Sequence, residues 1–229
     1  MQMKTKVILA AIILFTGFVS LQAQKSYRRV SFGFGLQPHV SWFHADEAAL
    51  SKGPVRLGIE GGLRLDFALQ RLIALSVGVN LNQTGGNIIY NESQILDLDS
   101  VSKTVDAGTR VTYRLQFIEV PIAIKLMLPE IGYSTWFAEI GLDPMFNSSA
   151  YINATDNNIQ REPFQQGVSR FNLAWHSGLG INYSLGRRMS LQFALMYKNS
   201  FLDMTRENDI RDADNVRINQ VGLKMGILF

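Results

Sequence analysis

Charged side chains recur at alternate positions of otherwise apolar runs. Arg56, Glu60, Arg64 and Asp66 interleave with Val55, Leu57, Ile59, Leu63, Leu65 and Phe67. Arg114, Glu119 and Lys125 fall in a later run, as do Glu139 and Asp143, then Arg170, Lys198 and Lys224. Successive side chains of a strand point to opposite faces, so such residues share one face of their strands. Carboxylates and cations gathered on one side of a sheet can neutralise one another, hold a polar or anionic ligand, or line an ion path. If the sheet closes into a small barrel, its interior is only wide enough for side chains to fill it. The first reading, a salt-bridged plug, is therefore the expected one, with ligand binding at the loop end and an ion path as alternatives.

Other chemistries find thinner support. His39, His44 and His176 are the three histidines. His176 and Ser177 are adjacent in one strand and point to opposite faces, so they cannot form the hydrogen bond that activates a nucleophile. His39 and His176 are expected to point inward as polar lumen residues. Asp97 and Asp99 alternate, but the glycine and distal glutamate of a calcium loop are missing. The mixed segment 202–215, with Asp203, Glu207, Asp209, Asp212 and Asp214 among Arg206 and Arg211, reads as a solvated loop or a contact for lipopolysaccharide. Gly33 and Gly35 lie inside a strand pattern with no helix after them, so they form no phosphate loop. No metal or cofactor is expected. Basic and acidic residues are interspersed despite a pI near 9.2, which gives no signature of nucleic-acid binding.

The elements that carry these residues are strands. Eight segments alternate with period two: 30–42, 55–67, 73–82, 110–127, 136–146, 171–183, 189–201 and 221–229. Each reaches the roughly 9–11 residues that a tilted transmembrane strand needs. Short connections near 68–72, 128–134 and 185–188 alternate with longer ones at 43–54, 83–109, 147–169 and 202–215. An even strand number with short turns at one end and long loops at the other is the pattern of an outer-membrane barrel. Aromatic residues near strand ends, among them Trp42, Trp136, Phe146, Phe171 and Tyr183, fit its interfacial girdles. A soluble sandwich would alternate similarly, but its polar face would not be so charged and glycine-rich. The expected fold is all-β, an eight-stranded antiparallel up-and-down transmembrane barrel.

Export agrees with this. Lys4 and Lys6 precede the apolar stretch Val7–Val19, and Ala23 is a small residue at a cleavage position. That is the build of a secretory signal peptide. Residues 1–23 are expected to be removed, leaving 24–229 as the barrel domain of an outer-membrane protein. No later run is apolar and long enough for a spanning helix, and the chain has no cysteine.

Residues 117–125, FIEVPIAIK, break two strand rules: a central proline and two charges among apolar residues. Val111, Tyr113, Leu115 and Phe117 share one parity, whereas Val120, Ile122, Ile124 and Leu126 share the other. A β-bulge at Phe117–Ile118 would flip the register and let both sets face lipid, with Glu119, Pro121 and Lys125 in the lumen. A proline near a bulge loses little, because the ladder is already interrupted there.

This stretch resembles the aromatic-aliphatic-Glu-aliphatic-Pro motif, ending in lysine, of a large Bacteroidota outer-membrane barrel family often called PorT-like. Residues 136–144, 196–204 and 221–229 resemble that family's later strands. The resemblance implies an outer-membrane location, a small barrel and no enzyme activity. As an alternative role it implies an accessory component of type IX secretion or gliding. The expected partners are outer-membrane lipid and lipopolysaccharide and the barrel-insertion machinery acting on the terminal Phe229, with secretion-system proteins as an alternative, but not nucleic acid. An envelope scaffold or interaction protein is the leading expectation; a lipid A-modifying enzyme and a narrow pore are the alternatives.

Overall fold

The computed structural model describes residues 29–45, 50–91, 93–97, 102–154, 159–186, 189–204 and 216–229. The expected signal peptide lies outside these residues. In chain order the strands are β1 (Val30–Ala45), β2 (Leu50–Lys52), β3 (Arg56–Gln70), β4 (Ile73–Tyr90), β5 (Gln94–Asp97), β6 (Ser102–Val105) and β7 (Arg110–Glu119). They continue with β8 (Ile122–Met127), β9 (Ser134–Ala154), β10 (Ile159–Pro163), β11 (Phe171–Ser184), β12 (Ser190–Ser200) and β13 (Val216–Leu228).

Eight staves form a closed antiparallel ring: β1, β3, β4, β7 with β8, β9, β11, β12 and β13. Strands β7 and β8 are one stave interrupted at Val120–Pro121, with both halves paired to β4 and β9. At this break Gly78 N donates to Pro121 O (3.0 Å), and Val120 N donates to Pro144 O (3.0 Å). The ladder therefore passes the proline by using groups it still has. The seam closes between β1 and β13, from Gly33 opposite Leu228 to Ala45 opposite Val216. Phe229 extends that seam, since its N–H donates to Phe32 O (2.7 Å) and its ring stacks on Phe32 at 5.2 Å.

The outer wall carries a belt of exposed apolar side chains, including Phe32, Phe34, Leu57, Leu63, Val79, Ile122, Ile140, Leu179, Leu195 and Leu223. In water such a surface would be untenable; against hydrocarbon it is the required one. Among the described residues, the start of β1, Phe229 and the short turns lie at one rim, and the extensions of β4 and β9 with β2 and β10 lie at the other.

Three expectations are corrected here. The connections at 43–54, 83–109 and 147–169 are not plain loops. Strand β4 runs on to Tyr90 and β9 to Ala154, while β2, β5, β6 and β10 add further pairing beyond the lipid belt. Second, Phe117 and Ile118 do not form a bulge in their own strand. Buried Val111, Tyr113, Leu115, Phe117 and Glu119 alternate with exposed or half-exposed Thr112, Arg114, Gln116 and Ile118, so parity is unbroken. The extra residue sits on the partner β9, between Asn147 and Ser149. Third, the apolar set 111–117 faces inward.

The reason is the length of the stave. Within the belt the apolar face must look outward to lipid; beyond it, in water, the apolar face must look inward. A stave that crosses this boundary shows a change of apolar parity with no change in its backbone. Strand β4 repeats this, with Val79 and Leu81 exposed outward and Ile88 and Tyr90 buried inward. So does β13, where buried Ile218 gives way to outward Leu223.

Candidate functional site

The lumen is layered. Nearest the short turns, Arg64 Nε donates to Asp66 Oδ1 (2.7 Å) and its Nη2 pairs with Glu139 Oε2. Lys125 donates to Asp66 Oδ2 (3.1 Å) and lies 4.2 Å from the centre of the Phe137 ring. Ser76 donates to Asp66 (2.6 Å), and Lys224 lies 3.6 Å from Glu139. Lys125 stands directly opposite Glu139 in the register, yet its ammonium turns to Asp66.

The next layer centres on Lys198. Its Nζ lies 2.8 Å from Glu60, 2.5 Å from Glu119 and 3.3 Å from Asp143. Asp143 also holds His176 Nδ1 at 2.8 Å. Asn80 donates to Glu60 and Asn82 to Glu119 (2.7 Å). Glu119 is fully buried, and Lys125 is 1% exposed. Glu119 is paired with Met145, two residues from Asp143; the two carboxylates meet through the lysine rather than face to face. Above, Gln220 donates to Thr84 Oγ1 (3.0 Å), and Ser41 donates to Gly85 O (2.6 Å).

Arg56 reaches from β3 across β4 and donates to Thr84 O (2.8 Å) and Tyr113 O (3.0 Å). Here the paired stretch of β3 and β4 ends at Ile59 and Gln83. Gly85, at φ 144°, lets the guanidinium in: a Cβ at that position would meet Arg56 Nη1 at 2.8 Å.

Above this polar zone an apolar cluster spans the loop-end rim. It joins Phe43, Ile88, Tyr90, Val111, Tyr113, Leu115, Phe117, Met145, Ile152 and Ile218 from the staves with Val105, Phe164, Val168 and Met204. Phe43 and Phe164 both pack edge-on against Tyr113, at 5.7 and 5.9 Å, and the Tyr90 and Tyr113 hydroxyls are 2.6 Å apart.

Ten of the twelve charged residues singled out from the sequence thus point into the barrel. Five cations (Arg56, Arg64, Lys125, Lys198, Lys224) face five carboxylates (Glu60, Asp66, Glu119, Glu139, Asp143). The other two are corrected: Arg114 is exposed on the outer face of β7, above the lipid belt, and Arg170 is exposed beside Phe171. Pro121 faces the lumen, where its Cγ lies 3.2 Å from where a Gly78 Cβ would stand. The apolar cluster was the feature missed from sequence. The legible signal for it was the length of segment 110–127, twice what a membrane strand needs.

What this arrangement can do is limited by its own saturation. Each carboxylate has a cation within ion-pair distance or shares one, and water has little room. A void among Gly33, Gly35, Gly62, Glu139, His176 and Lys224 measures about 40 Å³. That accommodates about three waters. Ser177 lies on the face opposite His176, between Ile140 and Tyr197 of the neighbouring strands. Among the described residues no group of three or more His, Cys, Asp or Glu could hold a metal ion.

A closed eight-stave ring, an outward apolar belt and an inward charged layer define a transmembrane β-barrel of the outer-membrane type. Residues 22–206 match the family described as outer membrane protein beta-barrel domain, and the chain belongs to that family. Its setting is the outer membrane. No curated protein matches the chain by sequence. Among solved structures it is similar to Neisserial surface protein A (8% identity, TM-score 0.47, covering 85% of this chain and 95% of that one). It is also similar to the attachment invasion locus protein of Yersinia pestis (12%, 0.41, 87% and 98%). A third is OprG of Pseudomonas aeruginosa (10%, 0.43, 91% and 99%).

Proposed function

We propose that this protein is a non-enzymatic, non-conducting envelope barrel whose lumen is structural and whose contacts with other molecules are made by its outer wall and loop-end rim. One observation carries this reading: an ion-pair layer that satisfies itself is capped by an apolar cluster spanning the rim. A ligand would have to break buried ion pairs to enter, and removing one partner of such a pair costs about 3–5 kcal/mol. Planar-bilayer recording tests it. Wild-type protein should give no stepwise current, and discrete openings under modest voltage would overturn the closed-lumen reading.

A second reading is an accessory role in type IX secretion or gliding in a Bacteroidota bacterium. Its support is the resemblance carried by Phe117–Lys125 and the later strands. The test is the secreted proteome of a deletion strain: loss of many large secreted proteins supports this role, and an unchanged secretome excludes it. Export in this scheme removes residues 1–23, so N-terminal sequencing of protein from purified outer membranes should begin at Gln24.

A further inference from the structure

Beyond the lipid belt β4, β7 and β9 continue as one sheet, with β10 added along β9. Its inner face belongs to the buried apolar cluster. Alternation puts Arg110, Thr112 and Arg114 of β7 on the outer face, against buried Val111, Tyr113 and Leu115 on the inner one. Asn87 and Asn153 flank Thr112 in the register, and Thr112 Oγ1 donates to Asn87 Oδ1 (2.6 Å). Arg114 is in register with Tyr151, and Arg161 of β10 lies over the Tyr151 ring at 5.2 Å.

This face carries three arginines and, among the described residues, no aspartate or glutamate. Glu162 follows Arg161, but it is in register with buried Ile152 and is engaged by Lys103 at 3.3 Å. None of the three arginines has a carboxylate partner among the described residues. Arg161 is also the one residue other than glycine with positive φ among them, at 50°, and its N–H donates to Asn153 Oδ1 (2.7 Å). That conformation turns its guanidinium onto the neighbour of Arg114, although like charges repel. Strained backbone of this kind clusters at functional positions.

Height separates the face from the membrane. Ile118, the uppermost exposed apolar residue of β7, marks the lipid edge together with its register partner Phe146. At about 3.3 Å per residue and a tilt near 40°, Arg114 stands about 10 Å above that edge and Arg110 about 20 Å above it. A lipid headgroup reaches the first level and not the second. The ligand that meets both is an extended polyanion lying along the sheet in the extracellular space.

We infer that Arg110, Arg114 and Arg161 form a docking face for a soluble anionic polysaccharide. Arginine forks bind sulfate or carboxylate oxygens in pairs. Hydroxyl and amide side chains between them, Thr112 and Asn153, donate to and accept from sugar hydroxyls. The inference rests on the reading that this barrel makes its contacts outside the lumen. Stepwise bilayer current would end the closed-lumen reading and leave this face standing, whereas the binding experiment below addresses the face alone.

The test uses the mature protein in phosphatidylcholine nanodiscs free of lipopolysaccharide, with binding read by surface plasmon resonance. Dextran sulfate should bind, and uncharged dextran of the same length should not. The affinity should fall at least tenfold in R110Q/R114Q/R161Q and severalfold in R110Q alone, each with its heat-modifiable gel band intact. Equal binding of the two dextrans by wild-type protein, or no binding of dextran sulfate, would overturn the face without any variant. A triple variant that binds like wild type would do the same. Unchanged affinity in R110Q would confine the anion to the membrane edge and overturn the extended site. Polyglutamate binding as tightly as dextran sulfate would overturn the assignment to a polysaccharide in favour of an acidic polypeptide.

Discussion

Lys198 is the residue on which the lumen charge balance turns. Three carboxylates, Glu60, Glu119 and Asp143, lie within 3.3 Å of its ammonium. Replacing it with methionine keeps the length but leaves three buried carboxylates around an apolar chain. The loss should exceed the roughly 3–5 kcal/mol typical of breaking one buried pair. Glu119→Gln should cost less, because the amide still accepts a hydrogen bond from Lys198 while Glu60 and Asp143 remain. Urea unfolding of the two variants in vesicles, followed by tryptophan fluorescence, would measure both. A Lys198→Met midpoint equal to that of wild type would show that the lumen charges are solvated rather than mutually neutralised. Arg114→Gln, by contrast, should leave the midpoint in phosphatidylcholine unchanged, since it breaks no ion pair within the described residues.

Adjacent residues of β7 provide a sharper contrast at the level of the element. Phe117 is completely buried in the apolar cluster, while Ile118 is 41% exposed on the lipid side. Phe117→Ala should cost about 3–5 kcal/mol as a cavity in a packed core. Ile118→Ala removes surface from lipid, leaves no cavity and should cost far less. Comparable costs would mean that the stave is turned the other way, with the expected bulge in place. The β1–β13 seam is equally specific. A Cβ on Gly222 would meet His39 Cβ at 2.7 Å, Pro38 O at 2.9 Å and Gln37 Cγ at 3.0 Å. Backbone is among those atoms, so Gly222→Ala should lose about 1–3 kcal/mol to overpacking. A lower temperature for loss of the heat-modifiable gel band would show it.

For the whole molecule, closure of the ring matters most. An open edge would leave unpaired backbone groups in hydrocarbon, which no outer-membrane barrel tolerates. Phe229 supplies two backbone hydrogen bonds to Phe32 and a ring that stacks on it. Deleting it should lower the yield of folded barrel in the outer membrane, read as the heat-modifiable fraction of cell-envelope protein. A yield equal to wild type would place the seam's decisive contacts further along β13. The layering of the lumen belongs to this scale too. Charges lie where the belt excludes water, and the apolar cluster lies where the staves emerge into it. The barrel is thus lipid-facing in its lower wall and built like a soluble sheet protein at its rim.

Strand number, antiparallel order, the lipid belt and the inward set of Arg56, Glu60, Arg64, Asp66, Glu119, Lys125, Glu139, Asp143, Lys198 and Lys224 were all readable from period-two alternation. Alternation is a property of the backbone, and one wet or charged face against one apolar face suffices to orient a stave. The tertiary structure alone decided which way the apolar face of 111–117 points. Periodicity says that residues share a face; it does not say whether that face meets lipid or a dry interior, because both accept the same side chains. Only the height of each residue relative to the belt resolves this, and height is set by strand tilt and register around the closed ring. That single undetermined quantity moved Phe117 into the core and Arg114 onto the outer wall.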